Sequence, residues 1–82
     1  MDIYEEIKKH LKNEYDDVIK YVELSKADTN DGEKQILKDI AHEEFTHATH
    51  LEEILKEAGK DVFSDPAFSD SHEKAEKALN DV

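Results

Sequence analysis

Apolar residues in the first third of the chain recur at helical spacing, at Ile3/Tyr4, Ile7, Leu11, Val18 and Tyr21/Val22, with Ser25 continuing the stripe. Neither Gly nor Pro interrupts Asp2 to Lys26, so this stretch predicts one amphipathic helix with a nearly heptad stripe. Ala27-Asp28-Thr29-Asn30-Asp31-Gly32 then concentrates turn-forming residues, and Asn30 with Glu33 has the spacing of a capping box. A second helix is predicted from about Asp31 to Ala58. Its stripe is Leu37, Ile40, Glu44, His47, Leu51, Ile54/Leu55 and Ala58, and Gly59 stands where a C-terminal cap is expected. Beyond Gly59 the pattern loosens, and Lys60 to Phe68 reads as a connector whose Val62, Phe63 and Phe68 are candidates to pack on a neighbour. Asp70 and Glu73 repeat the capping-box spacing, while Ala75, Ala78 and Leu79 give a weak apolar face to a short third helix ending near Asp81. The expected fold class is all-α, with a helical hairpin over residues 1–60 and a connector and short C-terminal helix over 61–82.

Two long helices joined by a short loop lie antiparallel, and each has a single apolar stripe. A lone hairpin leaves much of that stripe wet, whereas two hairpins enclose it in a four-helix bundle. A homodimer at minimum is therefore expected. The chain has 82 residues and no cysteine, so disulfides, thiolate metal sites and a Cys nucleophile are excluded; any staple is a metal or another chain. The beginning Met1-Asp2-Ile3-Tyr4-Glu5-Glu6 is acidic where a secretory signal is basic, and no apolar run approaches the ~20 residues of a membrane span. The expectation is a soluble, cytoplasmic protein without a membrane partner. The 22 acidic residues against 11 basic ones give a net charge of −11, and every basic residue is Lys. Such a field repels phosphate backbones and lacks the guanidinium fork that reads them, which argues against nucleic acid.

Three polar residues interrupt the stripes. Glu14 stands among Ile7, Leu11, Val18 and Tyr21, and Glu44 and His47 stand between Ile40 and Leu51. An ionised carboxylate inside a bundle costs several kcal/mol unless it is paired or bound to metal. In an antiparallel hairpin, residues at one height have numbers adding to about twice the turn's centre, which here lies between Thr29 and Asn30. That rule sets Glu14 beside Glu44, with Val18 opposite Ile40 on one side and Leu11 opposite His47 on the other. Glu44-Phe45-Thr46-His47 places a carboxylate and an imidazole on one helix face at i and i+3. Di-iron and di-manganese carboxylate bundles use a Glu from each of two helices and a Glu-x-x-His from each of the other two. One chain supplies half of that set, so two chains complete one centre at their interface. Oxygen and nitrogen ligands without thiolate suit iron or manganese, with zinc as a substitute. A competing register of the second helix, along Ile36, Ile40, Glu43, His47, His50 and Ile54, would make Glu43, His47 and His50 the ligands.

With these residues in view, the chain resembles the ferritin-like superfamily. Ile40-Ala41-His42-Glu43-Glu44-Phe45-Thr46-His47-Ala48 has the Glu-Glu-x-x-His-Ala pattern of rubrerythrins and ferritins. Glu14, Tyr21 seven residues later, and Glu44-x-x-His47 thirty residues after Glu14 are similar in spacing to the encapsulated ferritins, short two-helix chains. The resemblance covers about residues 3 to 58. It implies a ferroxidase that oxidises Fe(II) to Fe(III) at a di-iron centre completed across a dimer, in a ring of dimers. It also implies storage of the iron in a shell made by another protein. Encapsulated members usually end in a short apolar targeting peptide, and Ala78-Leu79-Asn80-Asp81-Val82 is not one, which argues against a shell partner.

Beside the ligand and catalytic roles of Glu14, Glu44 and His47, Tyr21, Glu43 and His50 are candidates for an outer layer. Tyr21 is equally a core tyrosine; His10 and His50 could be outer ligands on an entry path, but they, like Glu43, belong rather to a solvated face. His42 and His72 carry no pattern that singles them out. The run from His42 to His47 lacks the zinc-protease spacing, and Asp28 to Asp39 misplaces the Gly and the terminal Glu of a calcium loop. The rival readings are a non-catalytic metal-binding module of the rubrerythrin type and a helical-hairpin adaptor that binds a partner protein through its stripe.

Overall fold

In the computed structural model, which describes residues 1–82, the chain is three α-helices without strands: α1 (Ile3–Ala27), α2 (Asp31–Glu57) and α3 (Pro66–Asn80). Each begins on a side-chain cap. Asp2 accepts from the Tyr4 N–H at 3.0 Å, and Glu5 and Glu6 place negative charge in the first turn, where the helix dipole favours it. Asn30 accepts from the Glu33 N–H at 2.9 Å, but only half of the expected capping box forms. The Asn30 N–H instead donates to Asp28 at 2.9 Å, closing the turn. The Glu33 carboxyl meets Asp28, whose hydrogen bond and charge hold Glu33 above the usual carboxylate range. The backbone N–H of Asn30 chiefly holds Asp28 below it.

The end of α2 follows the Schellman pattern. Gly59 has φ +72°, the Gly59 N–H donates to the Lys56 carbonyl at 3.0 Å and the Lys60 N–H to the Leu55 carbonyl at 2.8 Å. These bonds satisfy two of the carbonyls that a helix end leaves open. α3 starts at Pro66, earlier than the Asp70 start expected from the sequence. Asp65 accepts from the Ala67 N–H at 3.0 Å and Pro66 takes the first helical position, where its missing N–H costs nothing. The connector shrinks accordingly, and Pro66 to Asp70 become helical.

α1 and α2 pack along their lengths, and α3 lies against them, mainly on α1. Leu11, Tyr15, Val18, Val22, Ala41, Ala48, Leu55, Val62 and Ala75 are buried. On α2 the buried positions Ala41, Ala48 and Leu55 are seven apart, and the two alanines let the backbones approach. Leu37, Ile40 and Leu51, expected in the centre of the stripe, are only half-buried. The buried arc of α1 is likewise rotated toward Tyr15 and Val22, because α3 covers that side. At about 100° per residue, Ile3, His10, Tyr21 and Leu24 fall on the α1 arc turned away from α3, and Ile36, Ile40, His47 and Ile54 on the corresponding arc of α2. Ile3, Leu24, Ile36 and Ile54 are exposed. The hairpin thus has one face capped by α3 and one apolar face left open. No helix is long and apolar enough to cross a membrane.

Candidate metal centre

On α1, Leu11 and Val18 face α2, and Glu14 sits between them at the edge of the same arc, one turn from each. Ala41 and Ala48 occupy the same arc of α2, and Glu44 lies between them. Small neighbours leave the two carboxylates close to one another. One ligand atom each from Glu14, Glu44 and His47 lie within 4.8 Å of one another, so this group could hold a metal ion.

The three differ in burial. Glu14 is buried with its side chain 9% exposed, Glu44 is half-buried, and His47 is exposed at the rim. His10, one turn before Glu14, places Nε2 3.0 Å from Glu14 Oε1. His47 Nδ1 stands 4.0 Å from Glu44 Oε1. Glu14 Oε2 is buried and receives no hydrogen bond. The Glu44 carboxyl is pushed above the usual carboxylate range, first by hydrogen bonding with Glu14, then by burial and by the Glu14 charge, while His47 and His10 pull the other way. Two carboxylates this close resist simultaneous ionisation. A proton held between them, or a cation in its place, supplies what Glu14 Oε2 lacks. The donor set of carboxylate oxygen and imidazole nitrogen suits a divalent first-row metal.

Glu43 and His50 are exposed and outside this group. Tyr21 is half-buried on the open face. A second polar cluster, on the α3 side, carries no periodicity signal in the sequence. The Tyr15 hydroxyl donates to Glu52, His72 Nδ1 contacts the same Glu52 oxygen at 3.0 Å, and His72 Nε2 contacts Glu76 at 3.2 Å. The His72 ring also packs on Tyr15, Phe45 and Phe63, with centroids 5.2–5.6 Å away. Burial, followed by hydrogen bonding to Glu52 and its charge, pushes the Tyr15 phenol far up. This cluster ties all three helices together behind Glu14. Ser-His-Glu at the start of an amphipathic segment gives no hint of it, since Tyr15, Phe45 and Glu52 lie 20 or more residues from His72 in the chain.

No family model matches the chain, and neither curated proteins nor solved structures contain a significant match to it. The ferritin-like resemblance accordingly rests on the residues alone.

Proposed function

We propose that this chain binds iron through Glu14, Glu44 and His47, that a second copy docks on the open hairpin face to complete a di-iron centre, and that the assembly oxidises Fe(II) to Fe(III). The observation that carries this reading is the convergence of Glu14, Glu44 and His47 with one buried Glu14 oxygen lacking a donor. Its position on the face not covered by α3 supports completion by a partner. Exposed Ile3, Leu24, Ile36 and Ile54 lie on the same arc toward the two ends of the hairpin, and a dimer would bury them in a four-helix bundle of the ferritin-like kind.

Iron is the substrate in this reading. Two Fe(II) give one electron each, which with two protons reduce dioxygen to hydrogen peroxide or hydrogen peroxide to two waters, and the hard anionic carboxylates favour the Fe(III) product. Glu14 and Glu44 hold and partly neutralise the ions, and His47 supplies a nitrogen ligand at the rim. For the carboxylates to bind metal, the proton that the raised Glu44 carboxyl holds must leave, so binding strengthens as pH rises.

Anaerobic Fe(II) titration followed by oxygen, with mass measured by light scattering before and after, tests the proposal. Two irons per dimer, prompt Fe(III) absorbance and association on metal addition are expected. Glu14→Ala and Glu44→Ala variants that match wild type in iron uptake and oxidation would refute it. Tight stoichiometric binding without turnover would instead select the non-catalytic metal-binding module.

A further inference from the structure

We infer that His10 is a fourth metal ligand, so that each chain by itself holds one divalent cation between α1 and α2, in a set of two histidines and two carboxylates. The inference rests on the metal-binding reading above and adds to it a residue and an order of events, in which the ion is bound before the partner docks.

The spacing of the ligand atoms is the first ground. Bonds from a first-row divalent metal to nitrogen or oxygen run about 2.0–2.2 Å, so two ligand atoms at right angles around one ion stand about 3 Å apart. His10 Nε2 and Glu14 Oε1 are 3.0 Å apart, a separation that suits a direct pair and equally the span of a shared ion. The Glu44 and His47 pair, at 4.0 Å, lies between right-angle and opposite placement around such an ion.

The symmetry of the hairpin is the second ground. Each helix contributes one carboxylate and one imidazole. On α1 the histidine precedes the glutamate by one turn, and on α2 it follows by nearly one turn. Because the helices run antiparallel, that reversal brings His10 to the height of His47, just as Glu14 is at the height of Glu44. Two carboxylates therefore lie at one level and two imidazoles at the next, toward the rim.

The third ground is what remains unsatisfied. A plain His10–Glu14 helix pair would use only Oε1 of Glu14. Oε2 of this side chain, itself 9% exposed, is left buried without a donor and beside a second carboxyl. Leaving such an oxygen unpaired is costly; a proton shared with Glu44 removes the cost while that carboxyl stays protonated, and a shared cation removes it once both are ionised. His10 stands outside the group whose ligand atoms lie within 4.8 Å of one another, but at 63% exposure its ring can turn to join the ion from solvent without disturbing the core. Two imidazole nitrogens, two carboxylates and no sulfur select Zn(II), Co(II), Fe(II) or Mn(II) over Cu(I). An ion in each chain also neutralises the acidic pair that two copies would otherwise press against each other.

Co(II) titration of the full chain tests this, using wild type, His10→Ala, Glu44→Ala, and a Leu24→Glu/Ile36→Glu variant whose open face is charged. Far-UV circular dichroism checks the fold and sedimentation checks that the charged-face variant is monomeric. We expect one Co(II) per chain in that monomer, with two paramagnetically shifted imidazole N–H resonances per chain. His10→Ala is expected to bind roughly tenfold or more weakly, at least the loss typical of removing a residue that only orients a ligand, and to show one such resonance. If His10→Ala binds like wild type while Glu44→Ala does not bind, His10 is no ligand and the centre itself stands. If Glu44→Ala also binds like wild type, the metal-binding reading falls with it. A charged-face monomer that takes up no Co(II) while wild type does would overturn the single-chain site.

Discussion

Glu14 has one oxygen on His10 and the other buried without a donor, next to a Glu44 that holds its proton more tightly than usual. In the metal-free chain Glu44 titrates in the folded state at a higher pH than when unfolded. The folded state then binds more protons, and stability falls as pH rises through the raised value. A bound metal reverses the sign, because it needs the ionised form and competes with the proton. Melting temperatures measured from mildly acidic to neutral pH should therefore fall with pH in EDTA and rise with pH in excess Zn(II). Parallel curves would show that no ion replaces the proton. Glu14→Gln should remove the like-charge contact, leaving the metal-free melting temperature unchanged or higher, while abolishing the increase that Zn(II) gives to wild type. At this scale the sequence was informative about Glu14, Glu44 and His47, because a polar residue interrupting an apolar heptad is visible in one dimension. His10 was legible only as a candidate outer ligand and Tyr15 not at all: neither breaks a periodic pattern, and each acquires its importance from an atom on another turn or another helix.

The helices were legible through their caps and breakers. Asn30, the turn before it and Gly59 bound α2 as the sequence predicts, since side-chain oxygens and a left-handed glycine act within a few residues. The start of α3 was not, because Asp65-Pro66 and Asp70-Ser71-His72-Glu73 both carry start signals and local chemistry does not rank them. Docking ranks them: Val62 is buried beneath the connector and Ala75 against the hairpin, and Phe68, within the first turn, packs on the same core. Gly59→Ala should lower stability by about 1–2 kcal/mol in chemical denaturation, with Gly59→Asn costing less. An added methyl at this position meets no atom within 4 Å, so the penalty is backbone strain alone. His72→Ala removes the contacts to Glu52 and Glu76 and the packing on Tyr15, Phe45 and Phe63. It should raise amide exchange across α3 by about tenfold or more, the factor set by losing roughly 1.5 kcal/mol of docking, while exchange at the start of α2 stays unchanged.

At the scale of the molecule the decisive feature is sidedness. The structure measures 43 × 22 × 17 Å, with α3 filling one side of the hairpin and the carboxylate–histidine group opening on the other. Charge on the open face should block association and leave the helical content intact: Leu24→Glu/Ile36→Glu is expected to sediment as a monomer at concentrations where metal-loaded wild type does not. Equal sedimentation of the two would remove the dimer from the proposed function. By itself the sequence determined an all-α chain, the antiparallel hairpin and the nearness of Glu14 to Glu44, because helical period, turn composition and equal height are properties of one or two neighbouring elements. Only the tertiary structure decided that α3 takes the Tyr15 and Phe45 side, that the buried arc runs through Ala41, Ala48 and Leu55, and that Ile36 and Ile54 stay exposed. The physical reason is that a weakly apolar 15-residue helix can cover either side of a hairpin as far as periodicity is concerned. Which side it covers depends on shape and on contacts, such as Tyr15–Glu52–His72, between residues far apart in the chain.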